Sequence, residues 1–166
     1  DFNTALQMAG VMSHYVGDLS QPLHVSKNYD GQETNDVGIH KFFETTNIAS
    51  GDEDLLVNAI VPMAQALMND PKFQQTFSKG VVDSAFSEVD RSFALKDTVI
   101  NTDKKLGRTG KGASALLEIA KARMADGAAS LAIVLSRMWQ DAGNPTGAAS
   151  VNIPAPDSVK PDFATV

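Results

Sequence analysis

At 166 residues the chain has single-domain length, enough to bury about 70% of the surface that its unfolded form exposes. A formal charge of −6 and a pI near 4.9 argue against tight, sequence-independent nucleic-acid binding, which draws on a basic surface that neutralises phosphates. With no cysteine, disulfides and thiolate metal sites are excluded, so any metal ligand must be nitrogen or oxygen.

Asn3 or Thr4 is placed to cap a first helix. Ala5, Met8, Ala9, Met12, Tyr15, Val16 and Leu19 follow at three- and four-residue spacing, which predicts an amphipathic helix with this stripe toward the core. Gly17 costs that helix about 1 kcal/mol relative to alanine, so a close approach by another helix or by a metal cluster is expected there. Pro22 ends the helix, because the residue before a proline is pushed out of helical geometry. The turn lets His24 face back toward such a cluster. Residues 25–37 are dense in Ser, Asn, Asp, Gly and Thr and read as a loop. Within it, Tyr29 is either an ordinary surface tyrosine or a face for a choline-like or nucleobase group. Asp36 or Val37 then opens a short helix with His40 and Glu44 on one side and Phe42 and Phe43 available to the core.

Asp52 to Asp54 form the capped, acidic start of the next helix, which Pro62 should bend. Asn69-Asp70-Pro71 is a stop and restart, with proline in its favoured first turn. A segment from Lys72 to about Lys79 follows, then one from about Val82 to Leu95 with Val82, Phe86, Val89 and Phe93 on a core-facing stripe. Lys104-Lys105-Leu-Gly-Arg108-Thr-Gly-Lys111 reads as a solvated interhelical loop. Its glycines resemble phosphate-loop spacing, but Ala113 stands where the lysine should be. Ser114 to about Ala142 makes a last, long helix. The six methionines and Trp139 read as core. From residue 144 to 166 the Pro- and Ala-rich composition reads as a tail or linker, leaving 1–143 as an all-α helical domain.

All three histidines fall between residues 14 and 40, and two of them have a carboxylate four residues on, at Asp18 and Glu44. Four residues of helix turn about 400° and rise roughly 6 Å, so each pair points from one face. Imidazole nitrogen with carboxylate oxygen is a mixed set that zinc accepts at roughly 2.0 to 2.2 Å, and imidazole also suits iron, copper and nickel. His14, Asp18, His24, His40 and Glu44 are therefore the candidate metal ligands.

The pattern His14-x-x-Gly17-Asp18-x-x-Gln21-Pro22-Leu23-His24, followed by His40-x-x-x-Glu44, resembles the trinuclear-zinc superfamily of bacterial phospholipase C and fungal single-strand-specific nucleases. The resemblance implies an all-α multi-helix bundle of that type. It implies that His14 binds one zinc, that Asp18 bridges it to a second and sets the metal spacing, and that His24, His40 and Glu44 hold a third. Phe43-Glu44 is similar to the phospholipase branch, whereas the nucleases usually carry Trp-Asp there. The family takes further ligands from an N-terminal half, which begins with tryptophan and supplies two more histidines and an aspartate. This chain has no histidine left for those roles, and its one tryptophan is Trp139. The expectation is a fragment completed by another segment or a second chain, or a homologue that keeps one zinc. About one zinc is expected here, against up to three in a complete enzyme.

The implied activity is phosphodiester hydrolysis by water whose pKa a metal brings toward about 7, acting on a phospholipid head group or, alternatively, on single-stranded nucleic acid. Secretion or a periplasmic location is implied by the same resemblance. A reading of another class is a catalytically inactive metal-binding or helical interaction domain. No run approaches the eighteen or so apolar residues of a membrane span, and no signal-peptide pattern opens the sequence.

Overall fold

A computed structural model describes residues 2–144, and every regular element among them is helical. Helix α1 (Phe2–Ser20) leads through a loop with one 3-10 turn (Gln32–Thr34) into α2 (Ile39–Lys41), a π-helical stretch (Phe42–Thr46) and α3 (Asn47–Ala49). There follow α4 (Glu53–Met68), α5 (Pro71–Gln75), α6 (Val81–Phe93), α7 (Lys96–Leu106) and α8 (Gly110–Asp141). No helix among the described residues is long and apolar enough to cross a membrane. The expected tail lies outside the described residues, apart from Asn144.

The long helix α8 is the spine against which α1, α4 and α7 pack. Its sequence allows this because small residues recur along it. At Gly127, where α1 crosses, an added Cβ would stand 2.8 Å from Ser20 Oγ. Two apolar clusters share the spine. Toward its C-terminal end, Ala125, Ala129, Ile133 and Val134 meet Ile60, Ala64, Phe73 and Phe77. Toward its N-terminal end, Leu116 and Ala120 meet Leu23, Ile39, Phe43, Val99 and Ile100.

Where the end of α1 meets α6 and α8, a buried polar network joins the three helices. Arg123 pairs with Glu88 and Asp126, Arg91 binds Asp126 through two nitrogens at 2.9 Å, and Ser130 donates to Glu88 at 2.6 Å. Burial, and then Asp126 alongside, push the Glu88 carboxyl above its ordinary range. Burial acts the same way on Asp126, but Arg91 and Arg123 outweigh it and hold that carboxyl below its ordinary range. The network also reaches the end of α1. Arg123 Nε donates to Ser20 O at 2.9 Å, and Ser92 Oγ donates to Leu19 O at 2.5 Å.

This network overturns the apolar stripe expected on α6. Val82 is 70% and Phe86 65% exposed, Phe93 is exposed, and the buried positions are Ser84, Glu88 and Ser92. Periodicity finds the apolar face, but here the polar face is the one with buried partners. On α1, Met12, Val16 and Leu19 are half-buried as expected, whereas Met8 and Tyr15 are exposed. The methionines are not uniformly core either. Met12 and Met68 pack against a cluster, while Met8, Met63, Met124 and Met138 are exposed, and Trp139 is 43% exposed.

Other boundaries follow local chemistry. Asp52 caps α4 by accepting from Leu55 N at 3.1 Å, and Asp70 caps α5 by accepting from Lys72 N at 2.8 Å. Helix α4 runs through Pro62, and α5 ends at Gln75, short of the expected Lys79. Helix α1 begins at Phe2, ahead of the expected cap at Asn3 or Thr4. The expected loop over 104–111 is shorter than its composition suggests. Helix α7 continues to Leu106, and α8 begins at Gly110 rather than Ser114. Gly112 makes that early start possible, since a Cβ there would stand 1.9 Å from Gly107 O.

Replacing Arg123 by methionine leaves Glu88, Asp126 and the Ser20 carbonyl without their shared donor. Breaking a buried pair in this way is expected to cost about 3–5 kcal/mol, measured by urea denaturation. A loss below about 1 kcal/mol would show that the network does not hold the three helices together.

Candidate metal centre

Each of three donor side chains follows a residue sunk in the α8 N-terminal cluster. Leu23, Ile39 and Phe43 are buried there, and His24, His40 and Glu44 come next in sequence. The anchors fix the backbone, so the three neighbours project from one surface at one point. His24 Nε2 lies 3.3 Å from His40 Nε2 and 3.1 Å from Glu44 Oε2, and His40 Nε2 lies 2.8 Å from Glu44 Oε2. Donors held about 2.0–2.1 Å from one zinc at tetrahedral angles stand about 3.3 Å apart, so these separations fit a single ion of that size. Two imidazoles and one carboxylate are also an acceptable zinc set, and the same set suits other divalent metals.

The supporting hydrogen bonds leave the right ring atoms facing inward. His40 Nδ1 lies 3.1 Å from Tyr29 O, and a carbonyl can only accept. A proton on Nδ1 satisfies that carbonyl and would leave the Nε2 lone pair for a metal held by the triad. For His24, Nδ1 lies 3.4 Å from Asp18 Oδ1, a carboxylate in the same supporting position. Gln21 serves the third donor. Its Nε2 donates to Glu44 Oε2 at 3.3 Å, while its Oε1 accepts from Leu23 N at 2.5 Å. Asp30 Oδ1 accepts from Gly38 N at 3.0 Å and from His40 N at 3.1 Å, fixing the start of α2.

Glu44 lies in the π-helical stretch, where Asn47 N–H reaches back to Phe42 O. Such single-turn widenings recur at functional sites. Asn47 itself is buried and donates through Nδ2 to Ala113 O at 2.9 Å, tying the end of the stretch to α8.

Of the five candidate ligands, the structure brings together His24, His40 and Glu44, the one three-donor group among the described residues. Asp18 stands behind His24, and exposed His14 stands behind Asp18, its Nε2 3.3 Å from Asp18 Oδ2. Gly17 has open space around its Cβ position rather than the expected close neighbour, and it borders a cavity of about 250 Å³ beside the triad. Ile48, Phe43 and Met124 supply that cavity's apolar wall, and Asp18, Gln21 and Glu44 its polar one. Gln21 and Asp30 were not among the candidates read from sequence. Gln21 lies inside the motif, but nothing in sequence marks Asp30 as the acceptor for amides eight and ten residues on.

Among known proteins, no family model, no curated sequence and no solved structure matches the chain.

The geometry separates ligand from support. His24→Ala is expected to abolish stoichiometric zinc binding. Asp18→Asn and Gln21→Ala should each keep one site and weaken it about 10–100-fold, as loss of an outer partner does. Competition with a chromophoric chelator measures all three. Abolition of the site by Asp18→Asn would make Asp18 a ligand in its own right.

Proposed function

We propose that the protein is a zinc-dependent phosphodiester hydrolase of the phospholipase C kind, built on His24, His40 and Glu44. The observation that carries this is the convergence of three donors, each flanked by a second group: His40 by Tyr29 O, His24 by Asp18 and Glu44 by Gln21. A bound divalent metal supplies Lewis-acid polarisation of a phosphoryl oxygen and makes water more acidic.

The chain's own residues do the rest. His24 and His40 offer neutral nitrogen donors, and Glu44 contributes a single negative charge, so the site with a divalent ion keeps net positive charge for a phosphodiester anion. Gln21 holds Glu44 against rotation, and Asp18 holds His24. The cavity beside the triad joins an apolar wall to a polar one, which suits an amphiphile whose phosphate sits at the donors and whose apolar part lies along Ile48 and Met124. The motif's resemblance to the trinuclear-zinc enzymes supports this reading, as does Glu rather than Asp at position 44. On the same resemblance the bundle is of that superfamily's type, His14 and Asp18 belong to a second metal position, and the protein works outside the cytoplasm.

A second reading, single-strand-specific nuclease, is favoured by one observation. The exposed ring of Tyr29 stands edge-on to His40 with centroids 6.1 Å apart, where a nucleobase can stack.

Elemental analysis after dialysis against metal-free buffer should find about one zinc per chain, and none in His40→Ala. With zinc, turnover on phosphatidylcholine should exceed turnover on single-stranded DNA, and Glu44→Gln should reduce it at least about 100-fold. Activity on DNA alone selects the nuclease. One zinc with neither activity selects a binding domain, and no zinc after reconstitution rejects the site.

A further inference from the structure

Away from the triad, the turn between α7 and α8 sends Arg108 back against the 25–38 loop. Its Nε donates to Asp103 Oδ2 at 2.7 Å, and its Nη2 donates to Asp36 O at 3.1 Å and Val37 O at 3.2 Å. The guanidinium also lies 5.9 Å from the centre of the Phe42 ring. Asp36 meets the same group, with Oδ1 3.6 Å from Arg108 Nη2.

That one guanidinium leaves an oxygen of each carboxyl group without a donor. Asp36 Oδ2 and Asp103 Oδ1 are buried with no donor among the described residues, on side chains 11% and 3% exposed. Both carboxyl groups face that one guanidinium, and Asp103 acts on Asp36 both as a neighbouring charge and as a side-chain hydrogen-bond partner. Two ionised carboxylates cannot donate to one another, so full ionisation leaves both oxygens orphaned and like charges adjacent. A single added proton gives both a partner.

We propose that Asp36 and Asp103 share one proton, and that this proton latches the 25–38 loop to α7 until rising pH removes it. The charged neighbours on α7 and its following turn are Asp103, Lys104 and Arg108. Asp30, within the loop, is turned to the amides of Gly38 and His40. Burial, and then Asp103, push the Asp36 carboxyl up, and the opposing pull of Arg108 and Lys104 does not cancel them. A group whose folded value is raised stabilises the fold below its ordinary value, and that stability is lost as pH rises through the raised one. The latch bears on the segment that presents His40, and it operates with or without a bound metal.

The test uses the full chain, metal-free. Carbon-13 NMR of the aspartate carboxyls should show Asp36 titrating above the ordinary aspartate range. Over that transition, hydrogen exchange at Gly38 and His40 amides should quicken at least about tenfold beyond the intrinsic pH effect. In Asp36→Asn the side-chain amide donates permanently to Asp103, so those amides should keep constant protection across the same range. Asp36 titrating in the ordinary range overturns the shared proton, and this is read on the unmutated protein. Exchange in Asp36→Asn that tracks the unmutated chain overturns the latch. Neither readout involves zinc, so failure here is distinct from failure of the proposed metal centre.

Discussion

The site depends on how the last turn of α1 disposes of its carbonyls. In a continuing helix, Leu19 O and Ser20 O would accept from Leu23 N and His24 N. Both amides are diverted, Leu23 N to the Gln21 side chain and His24 N to Gln21 O. Buried carbonyls left in this way cost about 1–3 kcal/mol each unless something donates to them. Ser92 and Arg123 do so, from two other helices. The sharp exit from α1, the descent of Leu23 into the core and the position of His24 all follow from that substitution of partners. The ion pairs around Arg123 are therefore best understood as holding a donor in place rather than as a source of stability in themselves, since buried charges recover little beyond their desolvation cost.

The same economy explains which parts of the fold were legible. The cap at Asp52, the restart at Pro71 and the all-helical class come from local rules, and local rules hold where the backbone has no tertiary competitor. Helix α6 shows the opposite case. Its apolar residues form a clean stripe, yet Glu88 and Ser92 turn inward because Arg123 and the α1 carbonyls need them. Hydrophobic periodicity has no means of seeing a partner 35 residues away. Helix α7 escaped notice for a related reason, since Val99 and Ile100 are buried in a segment otherwise rich in Lys, Asp and Thr.

The candidate centre was legible in its donors and not in its supports. Histidine and carboxylate spacing marks a short list, and the structure reduces that list to the three whose preceding residues are buried. Tyr29 was weighed for its ring, but its backbone carbonyl is what orients His40. A carbonyl carries no sequence signature, because every residue has one. Gln21 had a signature within the motif, though its double role between Leu23 N and Glu44 emerges from the turn alone.

The π-helical stretch has one further consequence. In an α-helix each residue advances the direction of its side chain by about 100°, so the bearings of positions 40 and 47 are locked together. Here position 40 must look toward a donor cluster, whereas Asn47 must look toward Ala113 on the spine. A surplus residue in the turn acts as a spacer between two independent bearings, letting each be tuned without disturbing the other. Such a spacer is reached by inserting one codon and lost by deleting one. The orientation of Glu44 is in this sense governed by the length of the segment as much as by its composition.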